Sequence, residues 1–208
     1  MVELQDVTDG RRLRGARTRQ AILKHAARLA SAEGLESVSL QRLASDLGIS
    51  KSGLFAHFGS KEELQLATVE AAAQIFTREV LVPGLKPPRG VGRIQALCDA
   101  FLSYVDRDVF PGGCFFQAAG AEFDSKPGAV RDAILERKRY WEDSLVRAVR
   151  EAREAGKVQR GVDPEQLGWE LHCLLAGAND RHLQTPEPKA LERARRAIRE
   201  RLEQAAAS

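Results

Sequence analysis

Apolar residues recur along most of this chain at three- and four-residue spacing, the period of a helix with one buried face. From Arg17 to Glu33 the residues Ile22, Leu23, Ala26, Ala27, Leu29 and Ala30 form such a stripe, and Gly34 supplies a C-terminal stop. Ser39 can cap a short second helix that carries Leu40, Leu43 and Leu47 and ends at Gly48. Ser50 can cap a third, with Leu54 and Phe58 four residues apart on one side and Gly59 closing it. Ser60, followed three residues later by Glu63, is a capping box that opens a fourth helix through Leu81. Pro83 to Gly90 holds two adjacent prolines and breaks the pattern. Beyond it the spacing predicts a helix from Val91 to Arg107, a Pro111-Gly112-Gly113 turn and a short segment from Cys114 to Phe123. A long helix from Pro127 to Ala155 follows, then one from Asp163-Pro164 to Leu183. After the Thr185–Pro188 break a last helix runs towards the C-terminus. No alternating stretch reaches strand length. The expectation is an all-α protein of about nine helices without internal repeats.

Composition agrees with that class. Of the 208 residues 43% are hydrophobic, 29% charged and only 6% aromatic, and Ala, Leu, Arg and Glu dominate. No apolar run approaches the roughly 18 residues that cross a bilayer, so no membrane partner is expected. Glu3, Asp6 and Asp9 replace an apolar signal core, which predicts a cytoplasmic protein. Cys98, Cys114 and Cys173 are odd in number and widely spaced, so no disulfide framework is expected. No spacing for a zinc site, a phosphate-binding loop or a catalytic triad occurs; the chain reads as a non-enzyme with no metal and no cofactor.

The net charge of +3 is unevenly spread. Residues 1–61 hold ten Lys and Arg against six Asp and Glu, and the remainder hold twenty-two against twenty-three. The excess sits in the first third, where Arg11, Arg12, Arg14, Arg17 and Arg19 form a cationic arm. Such an arm is either a solvated charge run or a phosphate-seeking one.

Two short helices joined by Gly48-Ile49-Ser50 have the proportions of a helix-turn-helix that reads DNA. Leu43, Leu47, Ile49, Leu54 and Phe58 supply its inner faces. Lys51, Ser52 and Gly53 then stand at the start of the recognition helix, where lysine and serine can bond a base edge or a phosphate and glycine lets backbone approach the duplex. The plain alternative is a helix start and its cap.

Residues 22–64 closely resemble the N-terminal domain of the TetR family of transcriptional repressors. The resemblance rests on Ile22-Leu23, Ala26-Ala27, Leu29, Gly34, Val38-Ser39, Leu43-Ala44, the run from Gly48 to Phe55, His57-Phe58, and Lys61-Glu62 with Leu64. By that resemblance the helix-turn-helix spans 39–58, within a DNA-binding domain over 1–61. Ser39 and Gln41 lie near backbone and groove, Lys51, Ser52 and Gly53 contact the major groove, and Phe55, His57 and Lys61 serve the sugar-phosphate backbone. Two positions depart from the pattern: Phe55 replaces the usual tyrosine and Ala30 the usual phenylalanine, with Leu35 or Phe58 available to fill the space.

The resemblance implies that residues 62–208 form a helical bundle for effector binding and dimerisation, connected through the helix over 62–81. Aromatic residues cluster between Phe101 and Phe123 although they are scarce overall. The effector pocket expected from this clustering comprises Ile75, Phe76, Phe101, Tyr104, Cys114, Phe115, Phe116, Gln117, Trp141 and His172, with Trp169 at its margin. The competing reading makes these rings ordinary core. The segment from Leu167 to Ala178 is apolar on most sides, which calls for a partner chain. The expected dimer face uses Leu171, Leu174, Leu175 and Ala178 with Leu191, Ala194 and Ile198 of the last helix. The function these features predict is a homodimeric repressor that binds a palindromic double-stranded DNA operator and is released by a small, mainly apolar effector. The rivals are a DNA-binding regulator without an effector, and a helical enzyme or small-molecule carrier with a vestigial helix-turn-helix.

Overall fold

The computed structural model describes the backbone of residues 3–185 and 189–207, and side chains from residue 15 onward with Lys51 excepted. Each serine that opens a short helix caps it. Helix α1 runs Glu3–Glu33, α2 Leu40–Leu47, α3 Lys51–Phe55 and α4 Lys61–Phe76. Ser39 Oγ accepts from the Arg42 amide, Ser50 Oγ from that of Gly53 and Ser60 Oγ from that of Glu63. The Glu63 carboxylate returns a bond to the Gly59 amide at 2.8 Å, so the box closes one residue further out than the usual form. Gly48 ends α2 at φ 63°, a conformation that costs glycine little. Helix α3 stops at Phe55, yet Leu54 and Phe58 are both buried. Together with Ile22, Ala26, Leu35, Leu43 and Leu64 they make a dry core at 0–1% exposure. Burying each of the large side chains contributes about 1.5–3 kcal/mol. Ala30 belongs to the same cluster as the fully buried Leu35 and Phe58.

Helix α4 continues through a π turn, Thr77–Leu81, into the single turn α5, Val82–Gly84. The sequence break therefore falls later than Pro83. Proline has no N–H to give the carbonyl of Glu79, and the turn ahead of it is the wide one. The bundle follows as α6 Val91–Asp106, α7 Phe115–Phe123, α8 Ala129–Glu154, α9 Pro164–Gln184 and α10 Lys189–Ala205. Counting 61–84 as one rod gives nine helices among the described residues, with an isolated Val158–Ala206 bridge as the one β pairing. Helix α8 packs on α9, α9 on α10 and α10 on α6, while α1 meets α4 and α7 and α4 meets α8. Among the described residues no helix is long and apolar enough to cross a membrane.

Helix α1 begins at Glu3 rather than Arg17. Its first turns carry Leu4, Leu13, Arg11, Arg12 and Arg14, residues of good helix propensity but with no regular apolar stripe, so periodicity alone misses them. The arginine arm is thus an extension of a helix. The side chains of Arg11, Arg12 and Arg14 lie outside the described residues. Arg17 and Arg19 are exposed, and the Arg19 guanidinium lies 4.9 Å from the centre of the Phe58 ring.

Candidate DNA-reading unit and effector cavity

Gln41 and Ser52 stand exposed near the starts of α2 and α3, Ser39 is half-buried by its capping bond, and Phe55 is 47% exposed. The side chain of Lys51 lies outside the described residues. His57 is half-buried with its ring 6.3 Å from that of Phe58. Gly53 has a local reason to be glycine: a Cβ there would stand 3.0 Å from the Ser50 hydroxyl that caps α3. Lys61 is exposed, but its ammonium is 2.6 Å from a carboxylate oxygen of Glu36. The hydrogen bond from Lys61, with its charge, holds the Glu36 carboxyl below the usual carboxylate range. A phosphate must therefore displace a weak internal partner to reach Lys61. No local signal in the sequence joins two residues 25 positions apart.

A second carboxylate ties this unit to the bundle. Glu122, at the end of α7, accepts from the backbone amides of Leu35 at 2.6 Å and Glu36 at 2.9 Å. Gly34, at φ 89°, passes so close that a Cβ would meet Glu122 Oε1 at 3.0 Å. Upstream, the Gly112 amide donates to Ser31 Oγ, and a Cβ on Gly112 would fall 1.7 Å from the Ser31 carbonyl oxygen. Arg28 donates to the Val109 carbonyl at 2.9 Å. Residues 109–122 are thus strapped along α1, a role for Glu122 that sequence spacing does not reveal.

Phe76, on the last turn of α4, is the hub of an aromatic cluster. Its ring meets those of Phe101, Tyr104, Phe116 and Trp141 edge-on, with centroids 5.3–6.3 Å apart. Phe101 stacks on Trp141 at 5.7 Å and 12°. Between them is a cavity of 20 Å³ lined by Phe76, Phe101, Cys114, Phe116, Gln117, Arg137, Lys138, Trp141 and His172. That volume suits one water. Of the expected lining, Tyr104 and Phe115 are buried beside the cavity in contact with its rings. Ile75 lies elsewhere. It lines a 380 Å³ groove between α1 and α4 with Arg17, Lys24 and Arg78, because it is one position round the helix from Phe76. Trp169, 62% exposed, sits in an open groove on the outer side of α8 and α9. Gln117 Oε1 is engaged by the Asn179 amide group, whose oxygen accepts from the Cys114 backbone at 2.8 Å. Burial pushes the Cys114 thiol up, which keeps it protonated. His172 lies 3.3 Å from Glu142; burial lowers its pKa and the carboxylate opposes that shift.

Several residues expected at a dimer face have no area left for one. Leu171, Leu175, Leu191 and Ile198 are at 0–1% exposure, packed into their own chain, since the inner sides of α9 and α10 also read as apolar. Gly168 is used internally as well, for a Cβ there would meet Val146 Cγ2 at 2.6 Å. What remains outward is an apolar groove of 350 Å³ lined by Cys173, Leu174, Gly177, Ala178, Arg181, Ala190, Arg193, Ala194 and Ala197. A Cβ on Gly177 would meet nothing.

A capped helix-turn-helix, joined by one continuous rod to an aromatic-lined helical bundle, is the build of a DNA-binding transcriptional regulator. Residues 22–68 match the bacterial regulatory proteins of the tetR family, and residues 90–198 match the tetracyclin repressor-like C-terminal domain. The chain belongs to the TetR family. Over 91 residues it is 31% identical to the HTH-type transcriptional regulator TcmR of Streptomyces glaucescens, a match spanning 44% of this chain and 38% of that one. A TetR transcriptional regulator from Chloroflexus aurantiacus shares the fold with a TM-score of 0.86 at 24% identity, over 93% of this chain and 98% of the other. AibR, solved with isovaleryl coenzyme A and operator DNA, shares it with a TM-score of 0.67 at 24% identity, over 86% and 95%.

Proposed function

We propose that this chain is a ligand-responsive repressor that binds a palindromic operator as a homodimer and releases it when a small, mainly apolar effector occupies the bundle. Residues 1–61 would read DNA and 62–208 would bind effector and partner. The observation that carries the reading is Phe76. This ring, which lines the cavity and meets four of its neighbouring rings, belongs to the same rod that begins, at Ser60-Lys61, against the helix-turn-helix. An occupant that moves Phe76 biases an element shared by both functions, and Glu122 on α7 offers a second route from cavity wall to DNA-reading unit. Gln41, Ser52, Phe55 and Lys61 are exposed where a duplex can reach them, with Ser39, Lys51, Gly53 and His57 completing the interface we assign. The groove on α9 and α10 is assigned to a second copy, packed about a twofold axis at Leu174 and Gly177. Such a dimer presents recognition helices about 34–36 Å apart. A regulator that uses its bundle for dimerisation alone is favoured by the small size of the cavity, and the unpartnered Trp141 N–H in its wall weighs against it.

The test is selection of duplexes from a random pool, followed by titration of the recovered sequence at several salt concentrations. Enrichment of an inverted repeat bound by two chains, with affinity falling steeply with salt, is the expected result. Recovery of no sequence, or a flat salt plot, contradicts the reading.

A further inference from the structure

The cavity wall is unbalanced in its polar groups. Trp141 is 6% exposed and lines the cavity, yet its indole N–H has no hydrogen-bond partner. Tyr104, 1% exposed and packed edge-on against Phe76, has its hydroxyl beside the Cys114 thiol and the Phe115 backbone. Orphaned buried donors are rare because each costs the free energy of the bond it forgoes. Lys138 adds a charge to the same wall. No ion pair or hydrogen bond engages its ammonium among the described residues, whereas its neighbour Arg137 is paired with Glu70 at 3.0 Å. Glu142, one turn further along α8, is committed to His172. Gly120 of α7 makes room for the lysine, since a Cβ there would meet its Nζ at 3.0 Å.

We infer that the effector is a small carboxylic acid with an apolar aromatic or aliphatic body, its carboxylate held by Lys138 and the Trp141 N–H and its body among Phe76, Phe101 and Phe116. This rests on the effector reading above. Rings alone would also suit a quaternary ammonium, but two cationic side chains and no carboxylate line the cavity. A neutral body without an acid would leave the indole N–H and the lysine as they are. The cavity is 20 Å³, far below the roughly 150 Å³ of an apolar cavity known to take up benzene. Admitting an acid therefore requires the rings to part. Phe76 is the ring in contact with four others, and it stands directly before the π turn.

The experiment is isothermal titration of the full chain with two matched sets: phenylacetate, phenylacetamide and phenethylamine, and octanoate, octanamide and octylamine. One acid at least is expected to bind about tenfold or more tightly than its own amide, with its amine weaker still. K138M is expected to bring the acid down to the affinity of the amide, K138R to keep the preference, and W141F to weaken the acid while leaving the amide unchanged. Unfolding temperature without ligand reports that each variant is folded. Amides or amines binding as well as the acids, no binding by either acid, or a preference intact in K138M overturns the inference. If neutral compounds bind and release operator, the effector reading survives that failure. If an acid binds through Lys138 and leaves operator binding unchanged, the site stands and the effector reading falls.

Discussion

The DNA-reading unit and the bundle differ in how fully their buried polar groups are partnered, for the bundle pairs Asn179 with Gln117 and the Cys114 amide but leaves the Trp141 N–H without a bond. In the first, Ser39, Ser50 and Ser60 each satisfy a helix start, and on the connecting rod Gln65 reaches back to the Leu35 carbonyl. Among the described residues the buried side-chain nitrogens without a partner, on Trp141, His172 and His182, all belong to the bundle. Among its described residues the DNA-reading unit leaves no buried polar side-chain atom unpaired. The other keeps the Trp141 N–H unpaired in a closed cluster of rings, the condition of a site that gains a bond when something enters.

Phe58 is the sharpest way to break the DNA-reading unit. Phe58→Ala should cost about 3–5 kcal/mol, because a small core cannot collapse around the void. Thermal unfolding followed by calorimetry should then show the DNA-reading unit melting before the bundle. A single unchanged transition would mean that the two halves fold as one.

Leu174 and its neighbour Leu175 separate interface from core. Leu174→Arg should yield a folded monomer in sedimentation, with operator affinity reduced to that of one half-site. Leu175→Arg should instead destabilise the chain by several kcal/mol, since it puts an unpaired charge in a dry core. Identical behaviour of the two variants would contradict the assignment of the α9–α10 groove to a second copy.

Glu122→Ala cuts the strap between the halves. Two backbone amides lose their acceptor, with a cost of about 1–2 kcal/mol, the Glu36 amide being open to water. If α7 carries part of the signal, ligand affinity should hold while ligand-driven DNA release weakens. Full release in this variant would leave α4 as the sole route.

The smallest effect belongs to Glu36. Both members of its pair with Lys61 are about half exposed, which limits the pair to under about 1 kcal/mol. The folded-state pKa of Glu36 is depressed, so this contribution is present above the ordinary carboxylate range and lost as pH falls through the folded value. Glu36→Gln should flatten that acid limb slightly and, by freeing Lys61, raise affinity for DNA.

How much of this was legible in the sequence follows the same divide. The caps and the turn at Gly48 are local, within four residues, and serine and glycine announce them. The start of α1 was hidden because its first turns carry propensity without periodicity. Proline at 83 predicts the end of the fourth helix near Leu81, whereas a π turn ahead of it lets the rod run on to Gly84. The Glu36–Lys61 pair and the Glu122 clamp join residues 25 and 87 apart, beyond any local pattern. Apolar spacing on α9 and α10 does not divide Leu171 and Leu175, fully buried in their own core, from Leu174, which is half-buried and lines the groove.

Filling the cavity at Phe76 should weaken the grip of the helix-turn-helix on DNA. This is tested by the affinity of the full chain for its selected duplex, measured by fluorescence anisotropy with and without a saturating ligand confirmed at Trp141. A fall of about tenfold or more is the expected result, and the duplex should weaken the ligand by the same factor, as reciprocal coupling demands. An affinity for DNA that stays the same with the cavity filled would contradict the account.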